Sequence, residues 1–109
     1  MQLDESVGRV VAALRTAGML ENSIIVFTTD NGGPAAGFDI NHASNWPLRG
    51  VKDTLWEGGV RGAGFVWSPL LERPGRVSHQ LMNIQDWLPS LVRAAGGDPD
   101  SLGGIGSSH

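Results

Sequence analysis

After a polar Asp4-Glu5-Ser6 start, apolar side chains recur at Val7, Val10, Val11, Leu14 and Ala17. That i, i+3, i+4, i+7 spacing predicts an amphipathic helix over residues 6–17. Asp4 or Ser6 can cap its start, and Gly18 suits the left-handed position just past its end. The periodicity then changes. Residues 23–29, Ser-Ile-Ile-Val-Phe-Thr-Thr, form a nearly continuous β-branched and aromatic run. Such a run predicts a short strand covered on both faces, as in a parallel sheet. Helix, short loop and buried strand together make half of an α/β unit.

Beyond the strand the pattern dissolves. Gly32, Gly33, Pro34, Gly37, Asn41, Asn45, Pro47 and Gly50 punctuate a long loop. Loops of that length inside a compact domain are commonly functional or disordered. Trp46 and Leu48 favour order, because apolar bulk in a loop packs on something. Residues 51–64 mix isolated apolar positions with turn glycines, and residues 64–68, Gly-Phe-Val-Trp-Ser, predict a second short strand stopped by Pro69. A polar loop at 72–76 follows. A last helix is predicted to start at Asp86 as N-cap, to accept Pro89 in its first turn, and to end at Gly96-Gly97. The tail over residues 98–109 has no periodicity and is expected to be disordered. No internal repeat is present.

Composition narrows the picture modestly. The chain has 109 residues, enough for one domain with a small core. Net charge is −3, with 17% charged and 40% hydrophobic residues, an ordinary soluble profile. The sign of the charge and the lack of a basic cluster argue against a nucleic acid partner. No apolar stretch approaches the ~18 residues of a membrane span. Met1-Gln2-Leu3-Asp4-Glu5 lacks the basic and apolar regions of a signal peptide. Cysteine is absent, which excludes a disulfide, a thiolate metal site or a cysteine nucleophile within these residues.

Candidate chemistry concentrates where the first strand ends. Asp30 and Asn31 lie at its carboxyl end, where open α/β sheets place ligands. A carboxylate beside a carboxamide oxygen suits a hard cation such as Ca²⁺ or Mg²⁺, and Gly32-Gly33 would permit a tight turn or a close ligand approach. Taken alone, Asp-Asn-Gly-Gly reads first as turn chemistry, with Asx hydrogen bonding and φ > 0 at glycine, because turns far outnumber metal sites. Two ligands do not hold such an ion, so any site recruits others. Arg49 and Lys52 bracket Gly50-Val51 and offer a fork and a point charge to an anion, or plain surface charge. Arg61 is expected to pair with Glu57 and brace the intervening glycines. His42, in the long loop, and His79, before the last helix, are open as acid, base, ligand or bystander.

Three segments, Phe-Thr-Thr-Asp-Asn-Gly-Gly-Pro at 27–34, residues 45–71 from Asn-Trp-Pro-Leu-Arg-Gly through Trp-Glu-Gly-Gly to Ser-Pro-Leu-Leu, and residues 81–97, together resemble the sulfatase family, and within it the arylsulfatase B-like group. The resemblance spans about residues 3–97. It implies an alkaline phosphatase-like α/β sandwich with a mainly parallel central sheet, of which residues 1–97 are the later part of the catalytic domain. It implies hydrolysis of sulfate esters, a sulfated glycosaminoglycan being one candidate substrate, through a formylglycine nucleophile and Ca²⁺. Asp30 and Asn31 match two calcium ligands, and Lys52 matches the lysine that contacts the substrate sulfate. No residue here matches the nucleophile, which arises in a Cys-x-Pro-Ser-Arg motif, nor the upstream aspartates that complete the calcium site. The loop over residues 34–45 is longer than usual for the family, which removes His42 from any family role. Relatives are lysosomal or secreted. The expectation is therefore half of an active site, without turnover by this chain alone and with poor folding in isolation. The alternative is a catalytically inactive chain that binds Ca²⁺ or a partner; a metal-dependent phosphohydrolase of the same superfamily is the more distant one.

Overall fold

The computed structural model describes residues 2–102, which belong to two compact units divided after Pro74. In the first, helix α1 runs over Gln2–Thr16, four residues earlier at its start than the apolar repeat predicts. Acidic Asp4 and Glu5 occupy its first turn and Arg15 its last, so both ends complement the helix dipole. Gly18 follows at φ +69°, the left-handed stop that the sequence predicts. A 3-10 turn at Leu20–Asn22 buries Leu20 and leads into strand β1, Ile25–Thr28. The four-residue helical turn α2, Glu57–Val60, precedes strand β2, Gly64–Trp67.

The two strands pair antiparallel, with Phe27 opposite Phe65 and Thr28 opposite Gly64. Antiparallel pairing follows from the connection, which leaves and re-enters the ribbon at the same end; a parallel pair needs a crossover to the far end. The mainly parallel sheet implied by the resemblance is thus not formed among the described residues. Phe27 and Phe65 stack at 5.4 Å with rings 11° apart, a cross-strand pair on one face. At the far end, the buried Ser68 hydroxyl donates to the Ser23 carbonyl at 2.8 Å and accepts from Leu70 N–H. At the near end, Thr29 N–H donates to Ala63 C=O and Ala63 N–H to the Thr29 hydroxyl, both at 2.9 Å.

Burial departs from the expectation of a covered strand. β1 is half-buried and β2 is exposed throughout. Among the described elements, α1 contacts the Leu20–Asn22 turn but neither strand. Its apolar stripe is therefore only partly covered: Val7, Val11 and Leu14 are half-buried, while Val10 is more than half exposed.

The second unit is described by itself. Helix α3 spans Trp87–Ala94 and follows a 3-10 turn at Ile84–Asp86. Asp86 stands at the N-cap position of α3, as the sequence predicts, but its side chain makes no capping bond to that helix; Asn83 caps the preceding turn, accepting from Gln85 N–H, while the Asp86 carboxylate accepts the Asn83 N–H at 2.7 Å. The capping box thus starts one turn early because Asn83, three residues before the acid, supplies the second half of the motif. Gly96 ends α3 at φ +83°. Within the tail, Pro99–Leu102 forms a 3-10 turn, and residues 103–109 lie outside the described residues. No helix among those described is long and apolar enough to cross a membrane.

Candidate functional site

Every residue singled out for metal or anion chemistry in the first unit sits on the excursion between β1 and β2, residues 29–63. Its frame is backbone packed on backbone. Gly32 N–H donates to Gly59 C=O at 2.8 Å, and Gly58 N–H donates to Arg49 C=O at 2.7 Å. A Cβ on Gly32 would run into the Gly58 carbonyl, one on Gly58 into the Gly50 carbonyl, and one on Gly59 into the Thr54 carbonyl. These glycines are required by close approach, not by φ > 0, since positive φ occurs elsewhere, at Gly37 and Gly50 among others. The positive φ of the turn reading is thus not found at Gly32-Gly33; the chain bends at Asp30-Asn31 as it leaves β1 and is clasped by the Trp56-Glu57-Gly58-Gly59 turn.

Asn45 completes the clasp. Its carboxamide oxygen accepts Gly33 N–H at 2.8 Å, and its amide donates to Gly33 C=O at 2.7 Å and to Gly50 C=O at 3.2 Å. A single side chain thereby satisfies both polar groups of Gly33 and ties that residue to the turn carrying Lys52. The turn itself is closed by Thr54, whose hydroxyl donates to Val51 C=O at 2.6 Å and accepts from Val51 N–H at 3.1 Å. Asp53 sits there at φ +69°, a region that aspartate tolerates better than most residues. Lys52 N–H reaches Gly33 C=O at 3.3 Å, joining the two segments directly.

Asp30 is exposed at the mouth of this frame, and among the described residues nothing hydrogen-bonds or ion-pairs with its carboxylate. Asn31 is half-buried; its amide donates to Gly32 C=O at 2.6 Å, which leaves the carboxamide oxygen uncommitted. The donor chemistry fits a hard cation: one free carboxylate and one oriented carboxamide oxygen, adjacent on a rigid exit. Two such donors fall well short of the six to eight oxygens Ca²⁺ takes. No group of three or more acidic or imidazole side chains converges among the described residues.

Lys52 is engaged rather than free. Its ammonium lies 2.9 Å from Asp39 Oδ2, across the long loop, with both side chains partly exposed. Its pKa is raised above the ordinary lysine value, first by that hydrogen bond, then by the charges of Asp39 and Asp53 and, least, of Asp30. Arg49 does not extend as an anion fork; its guanidinium stacks 3.6 Å over the Trp56 ring. Arg61 pairs with Glu57 at 3.2 Å, the brace expected from their spacing. It also lines a shallow open cleft with Thr29, Asn31, Asn45, Trp46 and Leu48, which neither Asp30 nor Lys52 borders. His42 is exposed in the long loop, and His79 belongs to the second unit. Sequence reasoning counted Asn45 only as loop punctuation and missed Asp39, whose partner lies thirteen residues away.

The comparisons with known proteins agree on one family. The family model described as Sulfatase matches residues 1–97. The chain is 50% identical to arylsulfatase J of Mus musculus over 90% of its own length, and that match covers 16% of the relative. It is 35% identical to N-acetylgalactosamine-6-sulfatase of Mus musculus over 92% of its length, covering 19% of that protein. It is 38% identical to human arylsulfatase A over 88%, covering 18%. The chain thus spans less than a fifth of the length of these relatives, and within that span it belongs to the sulfatase family.

Proposed function

We infer that this chain supplies one side of a sulfatase centre that hydrolyses sulfate esters, with Asp30 and Asn31 as Ca²⁺ ligands and Lys52 as the residue that binds a sulfate oxygen. The observation that carries this reading is the link through Gly33. Asn45 and Lys52 N–H both bond to Gly33, so the free oxygens of Asp30 and Asn31 and the turn of Lys52 are held on one frame. A bound divalent cation would offset charge on the transferring group. The chain's own residues would orient the anion: Lys52 by its charge, and Asp30-Asn31 by fixing where the cation sits. With no cysteine among the 109 residues, and no three acidic or imidazole side chains converging among the described ones, this reading takes the formylglycine nucleophile and the remaining calcium ligands from outside them.

Family membership and relatives named for sulfate-ester substrates support hydrolysis as the reaction class, and an N-acetylgalactosamine-6-sulfatase among them supports a sulfated glycan as substrate. The mainly parallel sheet and a lysosomal or secreted setting belong to the same proposal. Two measurements on the purified chain test it. Calorimetric titration with Ca²⁺ is expected to give weak heat that Asp30→Ala abolishes, whereas identical heat in the variant removes Asp30 from the site. An aryl sulfate assay is expected to show no turnover, and calcium-dependent turnover by pure chain would overturn the partial-site reading.

A further inference from the structure

Lys52 is the sole lysine of the chain, and its partly exposed ammonium is already paired with Asp39. Asp39 Oδ2 holds it at 2.9 Å, Asp53 follows it in sequence, and Asp30 lies close enough to act on the same charge. An oxyanion approaching Lys52 meets the Asp39 carboxylate already seated on the ammonium. Asp53 belongs to the turn that Thr54 closes. Asp39 differs. It sits on a loop whose own bonds are local, Ile40 N–H to Gly37 C=O at 3.3 Å and Asn41 N–H to Pro34 C=O at 3.0 Å. Its neighbours Phe38 and Ile40 are exposed, so no apolar packing by them anchors the segment.

We propose that Asp39 is a specificity-determining residue of the oxyanion site, its carboxylate occupying Lys52 as an internal anion that a sulfate-type oxyanion must displace. The proposal rests on Lys52 being the oxyanion-binding residue of the function inferred above. No bond is made or broken in the exchange; one ion pair replaces another, and the loop carrying Asp39 moves off. An anion that engages Lys52 weakly does not compete, so Asp39 sets the threshold for occupancy.

Because Lys52 is the only lysine, trace acetylation of the full chain reads its ε-amine directly, with the α-amino group as internal reference. Inorganic sulfate is titrated at constant ionic strength, balanced with chloride, in wild type, Asp39→Asn and Asp39→Ala. Lys52 is expected to label faster in both variants, and sulfate to protect it at about two- to fivefold lower concentration than in wild type, the range of an exposed ion pair. Unchanged labelling without sulfate would show that the pair is not held and overturns the proposal. Equal protection in all three proteins also overturns it while leaving Lys52 as the oxyanion residue. Protection in none removes Lys52 from the inferred function and the proposal with it, whereas the calcium titration judges Asp30 and Asn31 independently.

Discussion

The carboxamide of Asn45 does for Gly33 what a neighbouring strand would do, accepting its N–H and donating to its C=O. Removing it leaves a half-buried backbone donor without a partner, a loss of about 1–3 kcal/mol of local stability. Asn45→Ala is expected to speed hydrogen exchange at the Gly33 amide. Asn45→Asp keeps the acceptor but sets a carboxylate against two carbonyls, and should exchange at least as fast. Protection at Gly33 unchanged in both variants would show that the side chain is not the clasp. Lys52 carries the pH prediction at this scale. Its pKa is raised, chiefly by the hydrogen bond to Asp39, so the pair's contribution is complete below the ordinary lysine pKa and is lost as pH rises through the higher folded value. An NMR titration of isotope-labelled Lys52 should therefore give a midpoint above that of free lysine, moving back toward it in Asp39→Asn. Neither role was legible in the sequence. Asn45 has no periodic signature, and the bond to Asp39 depends on how a non-repetitive loop folds back.

Elements were read more reliably than their partners. The apolar repeat located α1, the β-branched run located β1, and Gly18 and Gly96 marked the helix ends, because each signal is local and the chain answers it locally. Pairing is non-local, and here it goes antiparallel where the run of apolar residues suggested a parallel sheet. The glycines show the same division. Gly8, within α1, has open space where a Cβ would point. Gly8→Ala should therefore stabilise the helix by about 0.5–1 kcal/mol, seen as increased helical circular dichroism. Gly58 is equally a glycine in a helical turn, yet its missing Cβ faces the backbone of Arg49 and Gly50. Gly58→Ala has no flexible side chain to push aside and should cost ~1–3 kcal/mol, releasing the Asp30-Asn31 exit from the Glu57–Val60 turn. Loss of protection at the Gly32 and Gly58 amides would report it. The sequence signal Asp-Asn-Gly-Gly followed by Trp-Glu-Gly-Gly thus records two segments that must touch, which turn chemistry alone does not distinguish from two separate turns.

Across the described residues the apolar surface is not gathered into a core. Leu20 is the buried hydrophobic side chain and Ser68 the buried polar one, and no described side chain falls below 2% exposure. Phe38, Leu55 and Leu81 are almost fully exposed, and the strands present unpaired edges on either side of a two-stranded ribbon. A ribbon of two strands is marginal in water even with a good cross-strand pair such as Phe27–Phe65. Uncovered apolar faces and open edges favour association over a unique monomer. The chain as it stands should therefore sediment with a mass that rises with concentration, bind a hydrophobic dye, and lose its helical signal over a broad temperature range. The clasp around Gly33 is local and should outlast the ribbon in hydrogen exchange, because its bonds close within residues 31–59 and do not depend on a covered sheet. A monodisperse monomer with a sharp, cooperative melt would overturn this, since such a transition requires a buried core that these residues do not form among themselves.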